Sequence, residues 1–301
     1  MTVETRAAAT RLSQLDLAVL ESVAYSDVFD FPVTLEEIHR SLAVETSQAA
    51  VEAILEPNGP LAEYVTSRAP YYVLAGRDAL IATRERRGRA SKRLMRRAGF
   101  YGRLIGNLPF VRMVAVTGSL AVDNADDGDD IDYLIVTSPG RVWLARALTM
   151  TVVRLATLRG LTLCPNYLLA ESALSLPERD AYTARELLQM RPVHGREVHA
   201  RMLRANTWGR DLMPNWQVEL AGEGRTGSLL GRIGERALGG RLGDAIERWL
   251  LRRKGRELNS RAGENGEAVF NETVCKGHFD AHKARLQDEL RRRLQRLGVQ
   301  A

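Results

Sequence analysis

No stretch of this 301-residue chain approaches the ~18 to 20 uninterrupted apolar residues of a membrane-spanning helix, so neither a span nor a membrane partner is expected. The start, Met1 to Leu15, carries Arg6 and Arg11 but no apolar core of the kind a secretory signal needs. Cysteine is scarce. Cys164 and Cys275 stand far apart without a CxxC spacing, which excludes a paired-cysteine zinc motif, and in the cytoplasm, the expected location, both stay thiols. The chain also lacks an internal repeat, a low-complexity tract and an HExxH metal motif.

What remains is an ordinary globular balance: 45% hydrophobic and 27% charged residues exclude disorder of the whole chain. The length suits one large domain or two to three small ones. A net charge of +6, supplied mostly by arginine, fits an anionic partner such as nucleic acid or a phosphorylated small molecule. It fits equally a chain that solvates its helices with arginine.

Residues 12–83 read as three short helices followed by a hairpin. Leu15, Val19, Leu20 and Val23 share one helical face. Thr34 with Glu37 three positions on forms a capping box for a second helix. Thr46 or Ser47 can cap a third, through Val51, Ile54 and Leu55, which Pro57-Asn58-Gly59-Pro60 stops. Tyr64-Val65 and Tyr71 to Leu74 are β-prone runs joined by a polar turn. In this order the segment resembles a winged helix-turn-helix module. Such a fold can imply DNA binding through the third helix, but Thr46 to Glu56 holds Glu52 and Glu56 and no Lys or Arg, so nucleic acid is not the favoured partner. Residues 84–106 are dense in arginine and read as a connecting helix, either a basic rail for a polyanion or a solvated linker.

The chemistry-bearing segment lies within 107–195. Val114 to Val116 is a short buried strand; Gly118 allows a tight turn and Ser119 opens a helical turn, a combination that can seat phosphate oxygens. A polar loop follows, then Asp130-Ile-Asp132-Tyr-Leu-Ile-Val. Strand alternation puts Asp130 and Asp132 on one side, roughly 6.5 to 7 Å apart along the backbone. Two converging carboxylates repel unless a divalent cation stands between them, and hard oxygen donors suit Mg2+ or Mn2+. Asp123, Asp126, Asp127 and Asp129 read as solvated loop acids, Asp129 being the one of the four that can also support the metal ligands.

Strand, Gly-Ser, loop, Asp-x-Asp, strand resembles the core of the DNA polymerase beta-like nucleotidyltransferase superfamily, over Pro109 to about Ala170. The resemblance implies an α/β (α+β) mixed sheet with flanking helices. By position it assigns triphosphate binding to Gly118 and Ser119, and metal binding and catalysis to Asp130 and Asp132. It also implies Mg2+ (or Mn2+), a nucleoside triphosphate as substrate, and transfer of a nucleoside monophosphate to a hydroxyl on a small molecule, a protein or an RNA end. The superfamily's third carboxylate is not evident. On the later strand Leu163 to Glu171, Asn166 is the further candidate metal ligand, while Glu171 falls on the opposite face. Glu186, in the helix Ala181 to Met190 that Pro192 ends, can face the site as a general base but reads as a surface residue.

Residues 196–301 read as a helical C-terminal region. Leu229 to Leu251 is amphipathic and can pack on its own domain or on a second copy in a homodimer. His278 and His282 have metal-compatible spacing without a supporting motif. Two functions follow: a metal-dependent nucleotidyltransferase, or a catalytically degenerate nucleotide-binding regulator whose winged helix binds DNA or protein.

Overall fold

The computed structural model describes residues 12–217, 228–262, 268–277 and 282–299. They form two compact units, one of residues 12–84, 213–217 and 286–299, the other of residues 85–212, 228–262, 268–277 and 282–285. None of the described helices is long and apolar enough to cross a membrane. His278 of the His278/His282 pair, the side chain of His282 and residues 222–227 and 263–266 lie outside what is described.

In the first unit, α1 (Gln14–Asp27) opens on a capping box in which Ser13 Oγ accepts from the Asp16 amide at 3.1 Å. Strand β1 (Val33–Thr34) leads into α2 (Leu35–Arg40), where Thr34 and Glu37 make the expected reciprocal cap at 3.3 and 2.9 Å. Ser47, rather than Thr46, caps α3 (Gln48–Ile54). Strands β2 (Val65–Arg68) and β3 (Tyr71–Leu74) complete a three-stranded antiparallel sheet of order β1-β3-β2. Val19, Leu20, Ile38, Leu42, Val51 and Leu61 are buried. Two distant segments are tied in by polar contacts. Asn215 bridges the Val44 carbonyl and the Thr46 amide at 2.8 and 3.1 Å, and Arg293 pairs with Asp27 at 2.8 Å.

Helix α4 (Leu80–Gly106) is longer than the expected connector, and its residues from 85 onward belong to the second unit. There follow β4 (Val111–Val116), α5 (Gly118–Ala121), β5 (Ile131–Thr137), α6 (Val142–Thr157), β6 (Leu163–Ala170), α7 (Ala181–Gln189), β7 (Arg191–His194), α8 (Arg196–Ala205) and α9 (Trp208–Leu212). Helices α10 (Leu229–Leu238), α11 (Arg241–Leu250) and α12 (Arg256–Ala262) come next, then β8 (Val269–Phe270), β9 (Val274–Lys276) and α13 (His282–Arg296). Six strands make one mixed sheet, β7-β4-β5-β6-β9-β8, in which only β5 and β6 run parallel. The unit is thus mixed α/β with flanking helices. Leu94, Ala98 and Tyr101 of α4 and Val142, Trp143 and Val152 of α6 share one core with Val114, Val116, Tyr133, Ile135 and Leu168 of the sheet.

One expectation is corrected here, and two local features are added. The C-terminal region is not purely helical: β8 and β9, two and three residues long, close one edge of the sheet and are too short to show an alternating pattern. Pro192 does end the preceding helix, yet it sits inside β7, an edge strand where a missing N–H is tolerated. Helix α6 has no cap from its own segment; Glu247 of α11 serves instead, its carboxylate accepting from the Trp143 and Leu144 amides at 2.9 and 2.7 Å.

Candidate functional site

Strand β4 ends in a turn that only glycine fits. Gly118 has φ +66°, and a Cβ there would stand 2.6 Å from Asp132 Oδ2. The close approach follows from the ladder: β4 and β5 are antiparallel, with Val116 opposite Tyr133, and the Thr117 amide donates to the Asp132 carbonyl at 3.1 Å. Ser119 is partly buried in the first turn of the four-residue α5.

Asp132 is the inner carboxylate and is partly buried, whereas Asp130, just before β5, is exposed. Burial, with the nearby charge of Asp130 and further that of Asp129, pushes the Asp132 carboxyl up to about 6, against hydrogen bonds from Cys164 and Asn166. Both donors come from β6. Cys164 lies opposite Asp132 in the parallel ladder, and the register then shifts before Tyr167, around Pro165 and Asn166. Asn166 Nδ2 donates to Asp132 Oδ1 at 3.0 Å. The Cys164 thiol, pushed up to about 11 by burial and by the charges of Asp132 and Asp130, stays protonated as a donor. No sequence signal marks Cys164; the strand pairing alone brings it in.

Glu186 is the residue that sequence reasoning weighed wrongly. Strand β7 pairs with β4 so that Arg191 faces Val116, two residues before Gly118, which carries the end of α7 to the β4–α5 turn. Glu186 on α7 is partly buried, accepts from the Gly118 amide, and lies close enough to Asp132 to feel its charge. Burial first, then Asp132, pushes its carboxyl up to about 7. Gln189 Nε2 donates to Glu186 Oε1 at 2.6 Å and orients it. The Gly118 amide, part of the turn expected to seat phosphate oxygens, is therefore engaged by a carboxylate.

The remaining acids are structural. Glu171 sits in a short helical turn (Glu171–Ala173), bonded to Arg201 and 3.8 Å from Arg112. The loop acids are not simply solvated, as expected, but bind arginines. Asp126 accepts from Arg86 at 3.2 Å and Arg87 at 3.1 Å, Asp127 from Arg93 at 2.6 Å, and Asp123 from Arg191 at 2.8 Å. Asp129 caps the loop by accepting from the Asp126 amide at 2.9 Å.

Asp130, Asp132, the amide oxygen of Asn166 and Glu186 are hard oxygen donors, and Asp132 and Glu186 are partly buried without a cationic partner among the described residues. This donor set fits Mg2+ or Mn2+. Among the described residues, no three carboxylate, imidazole or thiol groups stand together as a preformed cage. No family model, no curated protein and no solved structure matches this chain.

Proposed function

We propose that the second unit is a nucleotidyltransferase of the DNA polymerase beta-like type, moving a nucleoside monophosphate from a nucleoside triphosphate to a hydroxyl acceptor. The observation that supports this most is the meeting of Asp132, Asn166 and Glu186 at Gly118, from three separate strands and helices. Asp130 and Asp132, with Asn166 or Glu186, would hold Mg2+ or Mn2+. When bound, such a cation neutralises phosphate charge and polarises the phosphoryl group. Gly118 and Ser119 supply a backbone turn with no side chain to obstruct a phosphate. In the transfer, an acceptor hydroxyl oxygen bonds to the α-phosphorus as the bond to the bridging oxygen breaks, and pyrophosphate leaves. Glu186, whose carboxyl titrates near neutrality, takes the hydroxyl proton on a carboxylate oxygen. The third carboxylate thus comes from a helix rather than from the later strand.

The helix and strand order of the first unit supports a winged-helix reading. The outward side chains of α3, Gln48, Ala49, Glu52 and Ala53, favour a protein contact over phosphates. The free thiols of Cys164 and Cys275 suit a cytoplasmic setting.

The test is incubation with each α-labelled nucleoside triphosphate, Mg2+ or Mn2+, and a cell extract. Transfer of label that disappears in Asp130→Ala/Asp132→Ala and falls steeply in Glu186→Gln is the expected result, and it identifies base and acceptor together. Metal-dependent binding without transfer, lost in the double variant, would replace the enzyme with a nucleotide-binding regulator.

A further inference from the structure

Helix α4 carries two sets of basic side chains with different fates. Arg86, Arg87 and Arg93 are neutralised by the loop acids Asp126 and Asp127. Lys92, Arg96 and Arg103 lie along another stripe, are exposed, and have no carboxylate partner among the described residues. These three line a cavity of about 640 Å³ together with Met95, Gly99, Asp123 and Arg191. The Arg103 guanidinium lies over Gly99, 3.5 Å from where a Cβ would stand, an ordinary contact distance. The lining sets four cations against one carboxylate, and that carboxylate, Asp123, is already held by Arg191 at 2.8 and 3.2 Å. The cavity therefore carries uncancelled positive charge.

Two of its walls belong to the segments that build the reacting centre. Asp123 follows α5 almost directly, and Arg191 stands opposite Val116, the last residue of β4, two positions before Gly118. A volume of this size falls in the range of small-molecule sites, roughly 300 to 1,000 Å³, and is compact for a nucleic-acid track. Met95 adds an apolar patch for the uncharged part of a ligand.

We infer that this cavity is a phosphoanion subsite that seats the phosphate of a small phosphorylated acceptor beside Gly118, Asp132 and Glu186. The acceptor role rests on the nucleotidyltransferase reading above; the anion site does not. Guanidinium and ammonium donors supply charge-assisted hydrogen bonds to phosphate oxygens.

The whole chain would be titrated with inorganic pyrophosphate by calorimetry, without divalent cation. Lys92→Gln/Arg96→Gln changes only exposed side chains, and a thermal melt checks that it folds. It is expected to weaken binding tenfold or more, while Asp130→Asn/Asp132→Asn binds as the parent does. Unchanged binding in the cavity variant, no binding by the parent, or loss in the aspartate variant instead would overturn the site. Repeating the titration with a non-hydrolysable nucleoside triphosphate and Mg2+ bound separates the two sources of phosphate. Independent binding supports the acceptor; mutual exclusion assigns the cavity to the nucleotide's own phosphates and overturns that role. Much tighter binding of a short single-stranded RNA, lost in the same cavity variant, would overturn the small-molecule assignment. If label transfer is never seen while pyrophosphate binding behaves as expected, the reaction falls and the anion site stands.

Discussion

The second unit places two groups of carboxylates close together in the chain and treats them oppositely. Asp123, Asp126 and Asp127, in the loop before β5, each meet an arginine, and the hydrogen bond from Arg86, with those from Arg87, holds the Asp126 carboxyl below its ordinary range even against its own desolvation. Asp132 and Glu186, on β5 and α7, meet each other, a thiol, amides and no cation, and both are pushed up. Cancelled charge serves the fold: it fastens the loop to α4. Charge left uncancelled costs stability, and on the function proposed above a cation completes it here.

The largest expected effect breaks this contrast at its centre. Asp132→Asn keeps an oxygen acceptor for Asn166 and removes the charge. Label transfer should fall by about a thousandfold or more, which corresponds to ~4 kcal/mol of barrier. The same change relieves burial beside Asp130, so the fold should gain about 1 to 3 kcal/mol at neutral pH, read as a higher melting temperature. Loss of both activity and stability would mean that Asp132 is a structural acid like its loop neighbours.

A second prediction asks whether burial without a partner is enough to carry a cost away from the site. His199 on α8 is buried, its Nε2 has no hydrogen-bond partner among the described residues, and desolvation lowers its imidazole to about 4. A base with a depressed folded value binds its proton more readily when unfolded. Stability from this group is therefore complete above about 6.5 and is lost as pH falls toward 4, by about 3 kcal/mol in all. Denaturant unfolding of the parent and of His199→Gln across that window should diverge in slope. Parallel curves would show that the imidazole is already protonated in the fold.

Next in size is the response to metal. A cation that binds only the folded state stabilises it by about 2.7 kcal/mol at a hundredfold excess over its Kd. Mg2+ or Mn2+ should raise the melting temperature of the parent and leave Asp130→Asn/Asp132→Asn unmoved, with Ca2+ and added NaCl as controls for screening. An equal rise in both proteins would place the cation elsewhere.

The contrast between the two groups of acids was only half legible in the sequence. Gly118, Ser119, Asp130 and Asp132 stand out because a glycine turn and alternating carboxylates flank apolar strands, and the caps at Thr34 and Ser47 are local patterns that local structure honours. Glu186 was hidden by its helix. Tyr182, Glu186 and Gln189 fall on the polar face of α7, opposite Ala184, Leu187 and Leu188, and a polar face is ordinarily the solvent face. What turns it inward is β7, a four-residue edge strand containing a proline, which carries no readable period. The arginine partners of the loop acids were unreadable for a related reason: Arg86 and Asp126 are 40 residues apart, and nothing but the folded loop brings them together.

The smallest effect sharpens the comparison from the paired side. Asp126 is bonded by two arginines, yet it is half exposed, as is Arg86, and water and salt screen such contacts. Asp126→Asn should therefore cost no more than about 0.5 to 1 kcal/mol, with activity close to that of the parent and a cost that shrinks as salt is raised. Arg87 is the better-buried of the two partners, so Arg87→Gln should cost more than Arg86→Gln, although both touch the same carboxylate. If Asp126→Asn instead abolished label transfer without lowering the melting temperature, the acid would belong with Asp132 despite its arginines. The division between charge that holds the loop and charge that waits for a ligand would then have to be redrawn.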